Sequence, residues 1–502
     1  MLLVLSQLPG LEILKCRSVC STFKRLIDQS KKLQYIIQSN IRGLEPLGDS
    51  SSANSDLTKL LYRERSWTMF GSTAGAYSSL QNPPNLTNGP APKLRSTYDH
   101  GKLVLSRGNQ VVEHSLDPAQ AFDPQEYEIP SFGAECSVTS ANDLLVYSTG
   151  GEIHIYSKTD GEIVNVLSAP HIGNLGVPSI RRSWIAALFR SERRCDGVLI
   201  WNWKSGRLID TLYDAHSPVL SIAFLDDTTL VAVHTNRSAC TARVDTYELS
   251  DQQVVLKSSV SLPDAHPSKW YAKADIYTSG ESARPGFERM LCNQGIVAID
   301  LEMRIRAPHN PETVTADRRL NAILVIHKHI FTPPYLARSG EPVTPIPWTS
   351  WSTNHFRILT GVRLSPQSPV WGHRLVAVGP EIDKVSLFDF CPMGIKAVAQ
   401  VWKGNGTWGA SSYGRGGVSV RAALAERART LVRASTLGAV VGWFDNLNPT
   451  TAQIPYVVSV RRGMIDVVDT MMDESSIVLT MWEGDLSEQS ASTRVIAFNL
   501  GS

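Results

Sequence analysis

The feature that most constrains this chain is a unit that recurs every 45 or 46 residues. IHIYSKTDGEIVNVL begins at residue 153, LIWNWKSGRLIDTL at 199 and VDTYELSDQQVVLKS at 244. Each reads as an apolar strand, a polar turn carrying Gly or Asp, and a second apolar strand. Between two copies, DAHSPVLSIAFLDDTTLVAV at 214–233 supplies two further strands. A four-stranded unit of this kind cannot bury both faces alone. It must stack against copies of itself, and closing the stack into a ring leaves few open edges. A weaker copy, VSLFDFCPMGIKAVAQVW, begins at 385.

From about residue 95 the chain is a series of short alternating runs separated by Gly, Asp, Asn and Pro turns, among them LLVYST (144–149), TLVAVHT (229–235), NAILVIH (321–327), RLVAVG (374–379) and RVIAFNL (494–500). One stretch fits a helix, VRAALAERARTLVRA at 420–434, although its end fits a strand, TLVRAS, equally well. The fold class expected is mainly β: a β-propeller of about seven blades over 95–502, with insertions at 332–352 and 403–419. A run over 214–230 resembles a WD-repeat propeller. It is carried by Asp214, Ala215 and His216, then Val219, Ser221 and Phe224, then Asp226, Asp227 and Leu230. The signature is degenerate, since Ala215 stands for the family's Gly and Trp201-Asn202 for its Trp-Asp pair. The resemblance implies that His216 joins a hydrogen-bond network inside its blade.

The start of the chain obeys a different period. From Cys16 through Ile27 the apolar positions fall once per helical turn, a second helix fits KKLQYIIQ, and a third fits SDLTKLLYRERSW with Ser55 placed to cap it. The organisation expected is truncated F-box-like helices at 1–30, a helical linker at 31–75, an irregular connection at 76–94 and the propeller at 95–502. Residues 71–92, which overlap this connection, read as a linker or as a strand leading into the ring.

Residues 4–28, VLSQLPGLEILKCRSVCSTFKRLID, resemble the second half of an F-box, in the form found in fungal F-box proteins. Leu8-Pro9 match the family's Leu-Pro turn, and Cys16, Arg17, Val19, Cys20, Phe23, Leu26 and Ile27 match its last helix. The resemblance implies that Leu5, Leu8, Pro9, Leu11, Leu14, Val19 and Phe23 lie at or beneath the contact with a Skp-type adaptor. The match begins inside the family's first helix, so the expected F-box lacks part of its adaptor grip. Either the gene's true start lies upstream, or adaptor binding has been lost.

The remaining composition narrows the function. A formal net charge of +2 offers no strong pull on nucleic acid or on an anionic membrane, and no apolar run is long enough for a membrane helix. The opening MLLVLSQLPG lacks the basic leading region and cleavage site of a signal peptide. Seven scattered cysteines with no CxxC read as reduced thiols, which suits the cytoplasm or nucleus. Neither a phosphate-binding G-x-x-x-x-G-K-[ST] nor a G-x-S-x-G nucleophile elbow occurs. His327 and His329 could pair on a metal, but no third ligand is near in sequence, and a surface pair is the plainer reading. Trp348 and Trp351 in a Pro-rich loop, with Trp408 and Tyr413, could anchor a partner or plug gaps between blades.

These features point to a non-catalytic interaction protein without cofactor or metal. The function expected is that of a substrate receptor in a Skp–cullin–F-box ubiquitin ligase, with the adaptor on the helical head and an unknown protein substrate on the propeller. The rivals are a propeller scaffold that has lost adaptor binding and, further off, a propeller hydrolase.

Overall fold

In the computed structural model of the chain, the described residues are 1–46, 53–70, 77–81, 95–99, 102–107, 110–115, 125–129, 137–141, 143–169, 174–190, 196–214, 216–236, 238–278, 289–290, 294–305, 319–332, 343–365, 369–379, 384–391, 429–432, 444, 453–462, 467–472, 476–483 and 492–499. They form a small helical head and a seven-bladed β-propeller. No helix among them is long and apolar enough to cross a membrane.

Each blade is an antiparallel sheet that runs outward from the ring axis. The first strands, Arg95–Asp99, Ser137–Ala141, Ser179–Arg181, Val219–Phe224, Lys269–Thr278, Val370–Trp371 and Val467–Met472, neighbour one another around the ring. Blade 2 continues through Leu144–Thr149, Glu152–Ser157 and Ile163–Ser168, and blade 4 through Thr229–Asn236, Thr241–Leu249 and Val254–Ser261. The hairpins that repeat in the sequence are therefore the two outer strands of blades 2, 3 and 4. Alternate side chains enter the apolar layers between blades. Val146, Ile153, Ile155, Ile185, Leu199 and Trp201, for example, close the space between blades 2 and 3.

Ring closure uses the chain's early segment. Tyr77–Gln81 pairs with Ser492–Asn499 as the outermost strand of blade 7, so the stretch 71–92 contains a strand of the ring. Blade 6 departs from the simple repeat. Lys384–Asp389 does not fold back on the residues that follow it in sequence. It pairs instead with Tyr456–Arg462, and Arg429–Val432 adds outside that strand. The end of the helical candidate at 420–434 thus takes the strand alternative, and its first part lies outside the described residues.

The head comprises α1 (Leu2–Leu5), α2 (Gly10–Arg17), α3 (Ser21–Gln29), α4 (Lys31–Ile41) and α5 (Ala53–Met69). The helical stripe expected from Cys16 onward is broken by a turn at 18–20. There Cys20 caps α3, its Sγ accepting the Phe23 N–H at 3.5 Å. Ser55 lies inside α5 rather than at its cap, because the helix begins two residues earlier.

Candidate functional site

The head carries a dense group of exposed apolar side chains on a small core. Its own core is made by Leu5, Ile13, Ile27, Leu33, Ile36 and Ile37. Two local features set it. The Ser30 hydroxyl accepts the Leu33 N–H at 3.3 Å and starts α4. Gly10, the first residue of α2, gives its N–H to Asn40 Oδ1 at 2.7 Å, and a Cβ there would stand 2.9 Å from Asn40 Cβ and 3.0 Å from Ile37 Cα. Only a glycine lets α2 approach α4 so closely.

Seven residues were expected at or beneath a partner contact, and the structure divides them. Leu5 is core, while Leu8, Leu14 and Phe23 are half-buried against that core. Pro9, Leu11 and Val19 face solvent, Leu11 62% and Val19 70% exposed. Sequence reasoning did not single out Met1, Leu2, Leu3 and Val4, which are also exposed. An apolar run at the head's tip with no polar alternation was the available signal. Six large apolar side chains and a proline thus stand in water within the first nineteen residues, a concentration that marks an interaction surface.

The opposite side of the head is fused to the propeller. Tyr35, Leu44, Leu57, Leu60, Trp67 and Phe70 share one core with Trp371, Val376 and Val385 of blade 6 and Ile477, Leu479 and Phe498 of blade 7. A buried ionic seam runs through this contact. Glu64 on α5 pairs with Arg374 at 2.8 Å and with Arg42 at 3.3 Å, and Asp389 lies 3.7 Å from Arg374. The Trp67 and Trp371 rings stack in parallel at 6.2 Å, with the Arg374 guanidinium 4.8 Å from Trp67. Burial alone would push the Glu64 carboxyl up, but the guanidinium groups of Arg374, Arg42 and Arg63 outweigh it and bring it down to about 2. Leu44–Glu45 adds a two-residue pairing with Arg289–Met290, and Arg461 gives a hydrogen bond to the Phe70 carbonyl at 3.3 Å.

The other candidate residues find structural places. Trp348 and Trp351 are 2% and 1% exposed in the core between blades 4 and 5. Trp351 Nε1 donates to the Ser261 carbonyl at 3.0 Å. Their reading as partner anchors is therefore corrected to packing, since both ring faces are already covered. Trp408 and Tyr413 lie outside the described residues. His216 is exposed and, among the described residues, is tied through its backbone N–H to Asp214 Oδ1 at 2.9 Å, so it is not the network histidine of its blade. That place is taken by His234, which contacts the Ser217 carbonyl at 3.1 Å, the Tyr247 hydroxyl at 3.3 Å and Asp245 at 3.3 Å.

His327 and His329 are joined in space by His355, with ring centroids 5.6, 4.9 and 6.4 Å apart. Among the described residues no group of three or more donors is set to hold a metal ion. Burial first, then His373, His329 and His355, bring the His327 imidazole down to about 3. Its pKa is thus lower folded than unfolded, and the unfolded chain binds the extra proton between about pH 6.5 and 3. The stability from keeping His327 neutral is complete above pH 6.5 and is lost as pH falls through that window. His327→Gln should therefore shrink the drop in urea midpoint between pH 7.5 and pH 5. An unchanged drop would locate the acid sensitivity elsewhere.

Comparison with known proteins adds the following. The F-box domain family matches residues 1–35, the stretch that carries the exposed apolar face. No curated protein matches the chain. Among the many solved structures similar to this chain are the following three, all at low identity. Hydrazine synthase of Kuenenia stuttgartiensis is 10% identical with a TM-score of 0.41, covering 82% of this chain and 97% of that one. The Pan2 WD40 domain of Neurospora crassa is 9% identical with a TM-score of 0.41, covering 84% and 95%. A chain of a mitotic checkpoint complex is 10% identical with a TM-score of 0.37, covering 84% and 93%.

Proposed function

We propose that this chain is a substrate receptor of a Skp–cullin–F-box ubiquitin ligase, its head binding the Skp-type adaptor and its propeller holding a protein substrate. The observation that carries this reading is the exposed apolar face made by Leu2, Leu3, Val4, Leu11 and Val19, on the residues that the F-box family matches. Apolar groups in that number are stabilised by a partner that removes them from water. The seam with blades 6 and 7 supports the same reading. A receptor acts by holding substrate at a set distance from the transferring enzyme, and a head buried against the propeller keeps that distance. The work asked of the chain is binding, with ubiquitin transfer done by partners, and it would take place in the cytoplasm or nucleus.

A pull-down with a purified Skp-type adaptor tests it. The wild-type chain should retain the adaptor, and Leu11→Asp with Val19→Asp should lose it while the melting temperature stays unchanged, because both positions face solvent. Leu14 and Phe23 would be poor choices, since charging them attacks the head's own core. Failure of the folded wild-type chain to retain the adaptor would reject the receptor reading and favour a propeller scaffold.

A further inference from the structure

The chain's charge is unevenly divided. Residues 1–35, the stretch that the F-box family matches, hold six basic and two acidic side chains, while the rest of the chain holds 43 basic and 45 acidic. The net +2 of the whole is thus a positive first segment on a slightly negative remainder. Both acidic residues of that segment are already engaged. Glu12 takes Lys15 at 2.6 Å, and Asp28 takes Arg17 at 2.7 Å, with all four side chains exposed. Among the described residues no carboxylate pairs with Lys24, Arg25, Lys31 or Lys32, and the first three are exposed.

These cations lie beside the apolar face. Leu11 and Lys15 stand one turn apart on one side of α2. Val19 sits in the turn that joins α2 to α3. Cys20 caps α3, and its carbonyl accepts the Lys24 N–H at 3.0 Å. Lys24 is therefore one helical turn from the apolar turn, and Arg25 follows it. Lys31 and Lys32 open α4 beyond the far end of α3, whose nine residues span about 14 Å. In 0.1 M salt a charge is felt over about 10 Å, so the group acts on whatever docks against Leu11 and Val19.

An apolar centre with a charged rim is the anatomy of a protein–protein contact. Rim charges govern how fast partners meet more than how long they stay. Their sign here calls for carboxylates on the partner. An anionic lipid or nucleic-acid surface would also attract Lys24 and Arg25. It would meet Glu12 and Asp28 on the same helices, however, and a surface dense in phosphate has no cation to set against them. A folded protein can place a donor opposite each.

We propose that the adaptor contact of the head has a second part, a basic flank of Lys24, Arg25, Lys31 and Lys32, and that the surface it fits is acidic, with carboxylates set beside the apolar patch that covers Leu11 and Val19. This rests on the receptor reading and adds the partner's charge and the way the two meet. The flank speeds association, and the apolar face holds the complex.

Stopped-flow association of the full chain with a purified Skp-type adaptor tests it. Between about 0.05 and 0.5 M KCl the association rate should fall about tenfold while dissociation changes little. Lys24→Glu with Arg25→Glu should slow association about tenfold at the low-salt end and flatten the salt dependence. The melting temperature should stay unchanged, because both side chains face solvent. Lys204→Glu with Arg207→Glu makes the same change of net charge on exposed residues of blade 3 and should leave the rate within about twofold. Leu11→Asp with Val19→Asp should lose the complex at every salt concentration, which separates the apolar part from the charged one. Association that ignores salt, or a slowing that the two charge-reversed variants share, overturns the basic flank and leaves the receptor reading intact. Absence of any adaptor binding overturns both. Retention of the chain on phosphatidylserine vesicles in place of the adaptor, abolished by Lys24→Glu with Arg25→Glu, would overturn the proposal by assigning the flank to a lipid surface.

Discussion

Replacing Glu64 with Gln is expected to cost about 3–5 kcal/mol of stability, because it leaves the buried Arg374 guanidinium without its closest carboxylate. Arg374 has a side chain only 6% exposed, and Asp389 at 3.7 Å is too distant to take over the whole charge. The midpoint of denaturant unfolding should fall accordingly. The double change Glu64→Leu with Arg374→Met should recover most of the loss, since buried ion pairs give way to well-packed apolar groups with little penalty, and a methionine still covers the Trp67 face. If the single variant melts like the wild type, the seam is not what holds the head. The pH dependence has a definite sign. The Glu64 carboxyl lies near 2 folded against 4.5 unfolded, so its contribution is complete above about pH 4.5 and disappears as pH falls toward 2. This window opens lower than that of His327, at about pH 4.5 against 6.5, and overlaps it between 4.5 and 3, so acid titration of the wild type and the two variants should separate them above pH 4.5, where only His327 contributes, and below pH 3, where only Glu64 does.

Gly10→Val should dislodge α2 while sparing the propeller. The new Cβ would stand 2.9 Å from Asn40 Cβ and 3.0 Å from the Ile37 backbone, and the latter cannot swing away as a flexible side-chain tip could. Overpacking of this kind costs roughly 1–3 kcal/mol, here toward the upper end because backbone must move. Hydrogen exchange should quicken at Ile36 and Ile37 on α4 and stay slow at Leu324 and Val325 in blade 5. Adaptor retention should fall with the head, since Leu11 moves with α2. Retained protection at Ile36 and Ile37 would mean that the head absorbs the extra methyl groups.

The strands, their turns and the spacing that makes a ring were legible because they are local. Alternation and turn residues act within a dozen positions, and the hairpins read at 153, 199 and 244 are the outer strands of blades 2, 3 and 4. The F-box segment was legible for the same reason, as a run with characteristic residues at fixed offsets. What the local pattern left open are choices among chemically equivalent partners. Leu14 and Phe23 cannot be told from Leu11 and Val19 by hydrophobicity, and only the packing of α2 and α3 on α4 decided which pair faces inward. Likewise nothing near residue 385 announces that its neighbour is 456–462, nor does anything near 77 announce 492–499. His234 and not His216 is the buried imidazole, although His216 has the more suggestive neighbours in sequence. The cover over a blade's outer strand belongs to the same class. Every blade carries a similar outer strand, and whether it is covered depends on where a distant segment such as that at Ile346 comes to lie. Periodicity specifies which faces must be buried. The free energy of the assembled whole, summed over contacts far apart in the chain, specifies against what.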